Sequence, residues 1–143
     1  MNTVVNTVIP PVLVISRRLM MPNINLFYPV VTGMANQSIQ YSINNRIHSL
    51  VIDLIVKQGY YDNPQTQVTG WYEIKTNERG ILSLSIGNYS YVPMAAHGLT
   101  IIKSLTFDIH TGKLYQLSDL FKPGSNYIRL ISDNIREQIK ERD

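Results

Sequence analysis

The hydrophobic pattern of the chain has two periods, and each predicts a different kind of element. Between Asn36 and Gln58 apolar residues return every three or four positions, as on one face of a helix. Asn36 is a preferred N-cap residue and marks the start of this helix. Two earlier stretches, Val12 to Ile15 and Leu26 to Val31, are rich in β-branched and aromatic residues and predict strands. The predicted apolar face of the helix is Ile39, Ile43, Ile47, Leu50 and Leu54.

A period of two follows from Gln67 to Ile86 and predicts a β-hairpin with a defined register. A loop of Glu78, Arg79 and Gly80, with Gly80 in the left-handed conformation, connects its strands. This register collects the apolar residues on one side and leaves the other side polar, except for an indole that faces a glycine. The predicted pairs are Ile74–Leu84 and Tyr72–Ile86 on one side, and Glu73–Ser85, Lys75–Ser83 and Trp71–Gly87 on the other.

The same pattern returns in the segment LTFDIHTGKLYQL and predicts a second hairpin. Its loop consists of His110, Thr111 and Gly112, which pairs Phe107 with Tyr115 and Leu105 with Leu117. Ser125 then caps a second amphipathic helix. Together these elements predict an α+β domain, an antiparallel β-sheet with two amphipathic helices packed on one face. The apolar stripe of the second helix is Tyr127, Leu130, Ile131, Ile135 and Ile139.

Length and composition indicate one domain, residues 1–143, and exclude several functional classes. The 13 Lys and Arg residues are scattered, which argues against a nucleic-acid partner. The chain has no cysteine, so disulfides, thiolate metal sites and cysteine nucleophiles are excluded. Its first residues are apolar, but no basic region precedes them and Pro10 and Pro11 interrupt them. They predict neither a signal peptide nor a membrane span, so an exported parent protein would need a leader or anchor outside this sequence.

His97, in the segment YVPMAAHGLT, is the first candidate for chemistry. A catalytic role requires a partner carboxylate, and Asp108 or Asp119 could approach it in space. In the alternative interpretation the small residues around His97, including Gly98, allow a tight backbone turn and the imidazole makes a structural hydrogen bond. This second interpretation predicts that His97 is mostly buried, with no carboxylate and nucleophile arranged around it.

The remaining histidines and the glycines indicate structural roles. His48 and His110 share no ligand spacing with His97, so the sequence predicts no metal and no cofactor. Gly80 and Gly112 end the two hairpin loops, where a positive φ is required. Gly98 is also assigned a structural role, as one of the small residues that allow the tight turn next to His97.

Aromatic residues supply the second candidate site. Tyr89 and Tyr91 are two positions apart and therefore share a face, which in the predicted register also carries Trp71. The rings could pack across the strands, or they could form a platform for a sugar or a protein surface. The candidate binding residues are thus Trp71, Tyr89, Tyr91 and His97.

A series of motifs points to a known family. In order, the chain contains FYPVVTGMANQSIQYSINNRI, GILSLSIGNYSYVPMAAHGLT and LTFDIHTGKLYQLSDLF, followed by the second helix. This series resembles the extracytoplasmic domain of RsiV-type lysozyme-responsive anti-sigma factors and of PdaC-type peptidoglycan deacetylases, from about Phe27 to about Arg142. The most specific motifs are Ala95-Ala96-His97-Gly98, Thr111-Gly112-Lys113 and Leu117-Ser118-Asp119-Leu120-Phe121. The family more often has glycine before the histidine, where this chain has Met94, Ala95 and Ala96.

The resemblance implies a non-catalytic, extracytoplasmic module of the Gram-positive cell envelope. It makes residues 1–24 an N-terminal strand or arm segment and residues 25–143 the module, without the closing strands that usually follow the second helix in the family. We expect a sensing or binding module, not an enzyme, that recognises a lysozyme-like cell-wall protein or peptidoglycan. The alternatives are a small hydrolase that uses His97 with a carboxylate, and a purely structural accessory domain.

The missing closing strands also predict homo-oligomers. A sheet edge without a partner exposes backbone groups that can pair with another chain. We therefore expect self-association, either through such an edge or by exchange of the segment Val4 to Met20.

Overall fold

In the part of the chain that the structure describes, five strands form a mostly antiparallel sheet and two helices accompany it, which confirms the predicted α+β class. The structure, a computed structural model, describes residues 9–116, 119, 124 and 126–140. In chain order the elements are β1 (Leu13–Met21), β2 (Ile24–Thr32), α1 (Gln37–Lys57), β3 (Gln67–Glu78), β4 (Ile81–Tyr91), β5 (Leu99–Asp108) and α2 (Tyr127–Lys140).

The strands lie in the sheet in the order in which they occur in the chain. Three of the four neighbouring pairs are antiparallel, as predicted. The pair of β2 and β3 is parallel and short, joining Ile24–Leu26 to Val68–Gly70. Helix α1 connects these two strands and returns the chain to the end of the sheet at which β2 began, so β3 runs in the same direction as β2.

Helix α1 agrees closely with the helix predicted from the hydrophobic period. Its N-cap is Asn36, whose side chain accepts a hydrogen bond from the Ile39 amide at 3.1 Å. Three residues of the predicted face, Ile43, Ile47 and Leu54, are fully buried, while Ile39 and Leu50 are half-buried. The helix packs on one face of the sheet, and the core also contains Val51, Ile55, Leu82, Leu84, Ile86 and Phe107.

The hairpin of β3 and β4 has the predicted pairs at its centre, but it reaches them through a different loop. Arg79 and Gly80, with φ of 54° and 78°, form a two-residue turn between the paired Glu78 and Ile81. A bulge at Lys75 adds one residue to β3, so Thr76 rather than Lys75 lies opposite Ser83. The shorter turn and the bulge compensate each other. The pairs Trp71–Gly87, Tyr72–Ile86, Glu73–Ser85 and Ile74–Leu84 are therefore as predicted.

The second predicted hairpin is shifted by one residue. Phe107 pairs with Leu114, so the predicted pair of Phe107 with Tyr115 is wrong, and the pair of Leu105 with Leu117 lies outside the described residues. The loop is one residue longer than predicted because the Asp108 carbonyl accepts from the Gly112 amide at 2.8 Å. Gly112 has a φ of 75°, and its predicted positive φ is confirmed together with that of Gly80.

Strand β1 extends well beyond the predicted end at Ile15 and pairs along its whole length with β2. Two asparagine side chains bond main-chain groups near the far end of this hairpin. The Asn44 carboxamide of α1 bonds both the N–H and the C=O of Val31, at 2.7 and 2.8 Å. Asn77 of β3 does the same for Val12, at 3.0 and 2.8 Å. Each amide side chain thus acts as a short substitute for a neighbouring strand.

Among the residues that the structure describes, α1 packs on the sheet as predicted and α2 leaves most of its predicted stripe exposed. Helix α2 exposes Ile128 and three residues of its predicted stripe, Leu130, Ile135 and Ile139, while Ile131 is half-buried. The predicted cap Ser125 and the side chain of Tyr127 lie outside the described residues. Neither α1 nor α2 combines the length and the apolar character needed to cross a bilayer, so no described helix is a membrane span.

Candidate binding surface

The sheet has one face that α1 covers and one face, here called the outer face, that points away from it. Along β4 the residues Leu82, Leu84 and Ile86 are buried against the helix, and the residues between them point to the other side. The outer face of β4 therefore carries Ser83, Ser85, Gly87 and Tyr89.

Trp71 lies on this outer face, above Gly87 on the neighbouring strand. A Cβ atom placed on Gly87 would come within 2.8 Å of the indole Cζ2 and 2.9 Å of Cε2, so the ring rests on the glycine backbone. The indole is 41 % exposed. The pairing predicted from the sequence thus produces a flat ring that is supported from below and open to solvent above.

Tyr89 has a similar support at the next position along β4. Its ring end lies against Gly98, because a Cβ on Gly98 would clash with the Tyr89 hydroxyl and with the Ser90 carbonyl. Tyr91 donates a hydrogen bond to the Ala95 carbonyl at 3.3 Å. Tyr89 and Tyr91 therefore hold the loop 92–98 against the end of the sheet, and Tyr89 remains 39 % exposed.

The structure adds Phe27 and Arg18, which the sequence did not suggest as site residues. Phe27 and Trp71 each directly follow the paired residues Leu26 and Gly70, so they lie side by side on the outer face of the parallel strands. Phe27 is 45 % exposed. Its partner on β1 is Arg18, whose guanidinium carbon lies 5.6 Å from the centroid of the Phe27 ring.

Hydroxyl side chains lie on the outer face of β4 and β5, next to the strand that carries Trp71. Ser83 and Thr106 share a hydrogen bond of 3.0 Å, and Ser85 lies opposite Ser104. Glu73 is paired with Lys75 at 2.8 Å. Exposed rings next to hydroxyls can offer a flat apolar surface together with hydrogen-bonding groups.

His97 is exposed, which contradicts the prediction that it is mostly buried. None of the hydrogen bonds found among the described residues involves its imidazole. The small neighbours allow the turn as expected, but it is Gly98 that packs against the sheet, and the histidine side chain points into solvent. His97 therefore lies next to the outer face, and its side chain makes no hydrogen bond in the described part of the chain.

The two carboxylates proposed as partners of His97 lie at the other end of β5. His97 stands just before Leu99, and Asp108 ends the strand, about 30 Å away for an extended strand of this length. Asp119 accepts from the Gln116 amide at 2.7 Å and lies 3.6 Å from Lys113 Nζ, close to Asp108. The arrangement required by the hydrolase hypothesis is therefore not formed with either carboxylate. The described residues also contain no cluster of three or more His, Asp or Glu side chains that could hold a metal ion.

A groove of about 570 Å³ lies at the Asp108 end of the sheet, between residues 9–13, residues 32–36 and His110. Its lining is mainly apolar, and His110 is the one titratable side chain among the described residues that line it. A lone imidazole does not make a catalytic group, so the outer face is the better candidate site.

Comparison with known proteins supports the fold. No family model matches the chain, and no curated protein sequence matches it significantly. Among solved structures, it is similar to a DUF3298 family protein from Pseudomonas aeruginosa, with 10 % identity and a TM-score of 0.63. It is also similar to a DUF3298 family member from Bacteroides fragilis, with 10 % identity and a TM-score of 0.58. The chain thus has the fold of these proteins.

The alignments cover a larger share of this chain than of the two solved structures. The alignments cover 91 % and 93 % of this chain but 66 % and 68 % of the two DUF3298 proteins. Nearly all of this chain therefore corresponds to about two thirds of each neighbour.

Proposed function

We propose that this chain is a non-catalytic, extracytoplasmic binding module that recognises a component of the bacterial cell wall through its outer face. The observation that carries the proposal is the row of exposed rings, Phe27 and Trp71 on adjacent strands with Tyr89 beside them. Three partly exposed aromatic residues on one open sheet face form the kind of surface that binds partners. The resemblance of the sequence to extracytoplasmic domains supports the proposed placement in the envelope.

The chemistry of the outer face favours a glycan as the ligand. A sugar ring presents C–H groups on its faces and hydroxyls at its rim. The first suit a supported indole such as Trp71, and the second suit the hydroxyls of Ser85 and Ser104. The glycan strands of peptidoglycan are therefore the proposed ligand, and a lysozyme-like wall protein is the competing partner for the same face.

Cosedimentation with insoluble peptidoglycan tests the proposal. We expect the protein to sediment with peptidoglycan and Trp71→Ala to lower the affinity by roughly tenfold or more, as for a central aromatic contact. Tyr41→Ala is the matched control, because Tyr41 is 74 % exposed on α1, away from the outer face. Circular dichroism verifies that both variants are folded.

Two results would contradict the proposal. If the Trp71 and Tyr41 variants sedimented equally with peptidoglycan, the binding would not depend on the outer face. Binding to a purified lysozyme without binding to peptidoglycan would replace the glycan with the protein partner.

A further inference from the structure

Arg18 is held in a defined position at one end of the aromatic row. Its Nε donates a hydrogen bond to Asn25 Oδ1 at 2.7 Å, and its guanidinium lies over the ring of Phe27 at 5.6 Å. Both contacts restrict a side chain that is otherwise exposed and flexible. The Asn25 contact uses only Nε, and no hydrogen bond or ion pair found among the described residues uses the donors on the two terminal nitrogens of this exposed side chain.

The charges near Arg18 do not compensate it. No ion pair found among the described residues includes Arg18. The carboxylate of Glu73 on the outer face is already paired with Lys75. Arg17, the next residue, lies opposite Tyr28 and therefore points to the other face of the sheet. Arg18 is thus an oriented positive charge beside the exposed rings.

The strand order sets the distance between this charge and the indole. Arg18, Phe27 and Trp71 occupy β1, β2 and β3, which are consecutive in the sheet. Neighbouring strands are about 5 Å apart, so Trp71 lies about 10 Å from Arg18 across the sheet. A chain of two linked sugar rings spans a comparable distance.

We infer that Arg18 is an anion-binding residue of the outer face, and that the ligand is a carbohydrate carrying a carboxylate or a phosphate. This inference rests on the proposed function and adds the charge of the ligand to it. The sugar packs on Trp71 and Phe27, and the anionic group receives hydrogen bonds from the guanidinium. An arginine suits this role because its planar fork can donate two parallel hydrogen bonds to either kind of oxyanion.

Trp71 is the only tryptophan of the chain, so its fluorescence reports binding at this surface directly. The probes are the disaccharide of N-acetylglucosamine and N-acetylmuramic acid, its neutral methyl ester, and a short glycerol phosphate polymer. We expect the wild-type protein to bind the acid roughly tenfold more tightly than the ester at low salt, the size of effect for one charge-assisted hydrogen bond. The polymer arm tells whether a phosphate can take the place of the carboxylate.

Matched variants assign the effect to Arg18. We expect Arg18→Gln to bind the acid and the ester equally, while Arg17→Gln keeps the difference because it removes an equal charge from the opposite face. Arg18→Lys should keep part of the difference, since it retains the charge without the planar fork. Thermal unfolding verifies that the variants are folded.

The outcomes separate this inference from the proposed function. Equal binding of acid and ester by the wild-type protein, or an unchanged preference in Arg18→Gln, would overturn the role of Arg18. If Trp71→Ala still abolished binding of the ester, the proposed function would stand without an anionic ligand. If none of the three probes bound to a protein that sediments with peptidoglycan, the role of Arg18 would be overturned and the proposed function would stand. Failure of the probes and of cosedimentation together would overturn both.

Discussion

The indole of Trp71 lies on the backbone of Gly87, at a distance that leaves no room for a Cβ atom between them. This contact connects the register of the β3–β4 hairpin to the binding surface. A glycine at position 87 lets the ring lie flat on the sheet, where its upper face stays open to a ligand. The size of residue 87 therefore controls the geometry of Trp71.

We expect Gly87→Ala to destabilise the domain by about 1–3 kcal/mol, the usual cost of forcing extra atoms into a packed contact. The new methyl group would push the indole away, so the fluorescence maximum of Trp71 should shift as well. A double-mutant cycle with Trp71→Ala checks the cause, because removal of the ring should remove most of the cost. Ser85→Ala, on the same face and strand, is the control. An equal cost with and without the indole would contradict the contact.

Gly112→Val should destabilise the domain more than Thr111→Val does. Gly112 has a φ of 75°, in the region where a β-branched residue is strained, and the difference should be at least about 1–2 kcal/mol. Chemical denaturation of the two variants measures it. Equal costs would mean that the loop can adopt another conformation at negligible expense.

His97→Ala should change the free energy of unfolding by no more than about 0.5 kcal/mol, because the side chain is exposed. Its melting temperature should therefore stay close to that of the wild-type protein. Gly98→Ala is the informative comparison, since its methyl group would meet the Tyr89 hydroxyl and the Ser90 carbonyl. We expect this second variant to lose more than about 1 kcal/mol. A large loss of stability in His97→Ala would restore the structural role that the sequence suggested for the imidazole.

Asn44→Asp should cost about 1–3 kcal/mol, because a carboxylate cannot donate the hydrogen bond that Asn44 Nδ2 makes to the Val31 carbonyl. Asn45→Asp provides the matched control at the next, exposed position of α1. Thermal unfolding at neutral pH compares the two. Similar melting temperatures would show that the Asn44 amide does not support β2.

Self-association through a sheet edge stays a prediction that sedimentation can test. Strand β5 is one edge of the sheet. The Thr106 carbonyl accepts a hydrogen bond from the Tyr115 amide, so the backbone groups of Thr106 point away from β4, towards the free side of the edge strand. Ile102 shares this orientation, being four residues from Thr106 along the strand. Ile102→Pro should therefore reduce any association at micromolar concentration, and Ile102→Val, which keeps the N–H, should not. A wild-type protein that is monomeric at all concentrations would end this hypothesis.

Features that depend on neighbouring residues could be predicted from the sequence. The period of Ile43 and Ile47 and the cap at Asn36 describe α1, because helix formation and capping involve residues only a few positions apart. The pair of Trp71 and Gly87 was predictable for the same reason, since a short turn joins their strands. The loop length and the bulge at Lys75 were not, because the turn and bulge offset each other in the apolar pattern.

The rest of the site depends on contacts between distant parts of the chain. Phe27 and Arg18 lie beside Trp71 because β2 pairs in parallel with β3. A long crossover through α1 brings these two strands together, and no local sequence pattern predicts that pairing. The exposure of His97 depends on which side of its loop packs against Tyr89, and both orientations fit the same small neighbours in the sequence. Local periodicity thus specifies the elements and their nearest pairs, whereas the folded sheet specifies which side chains share a surface.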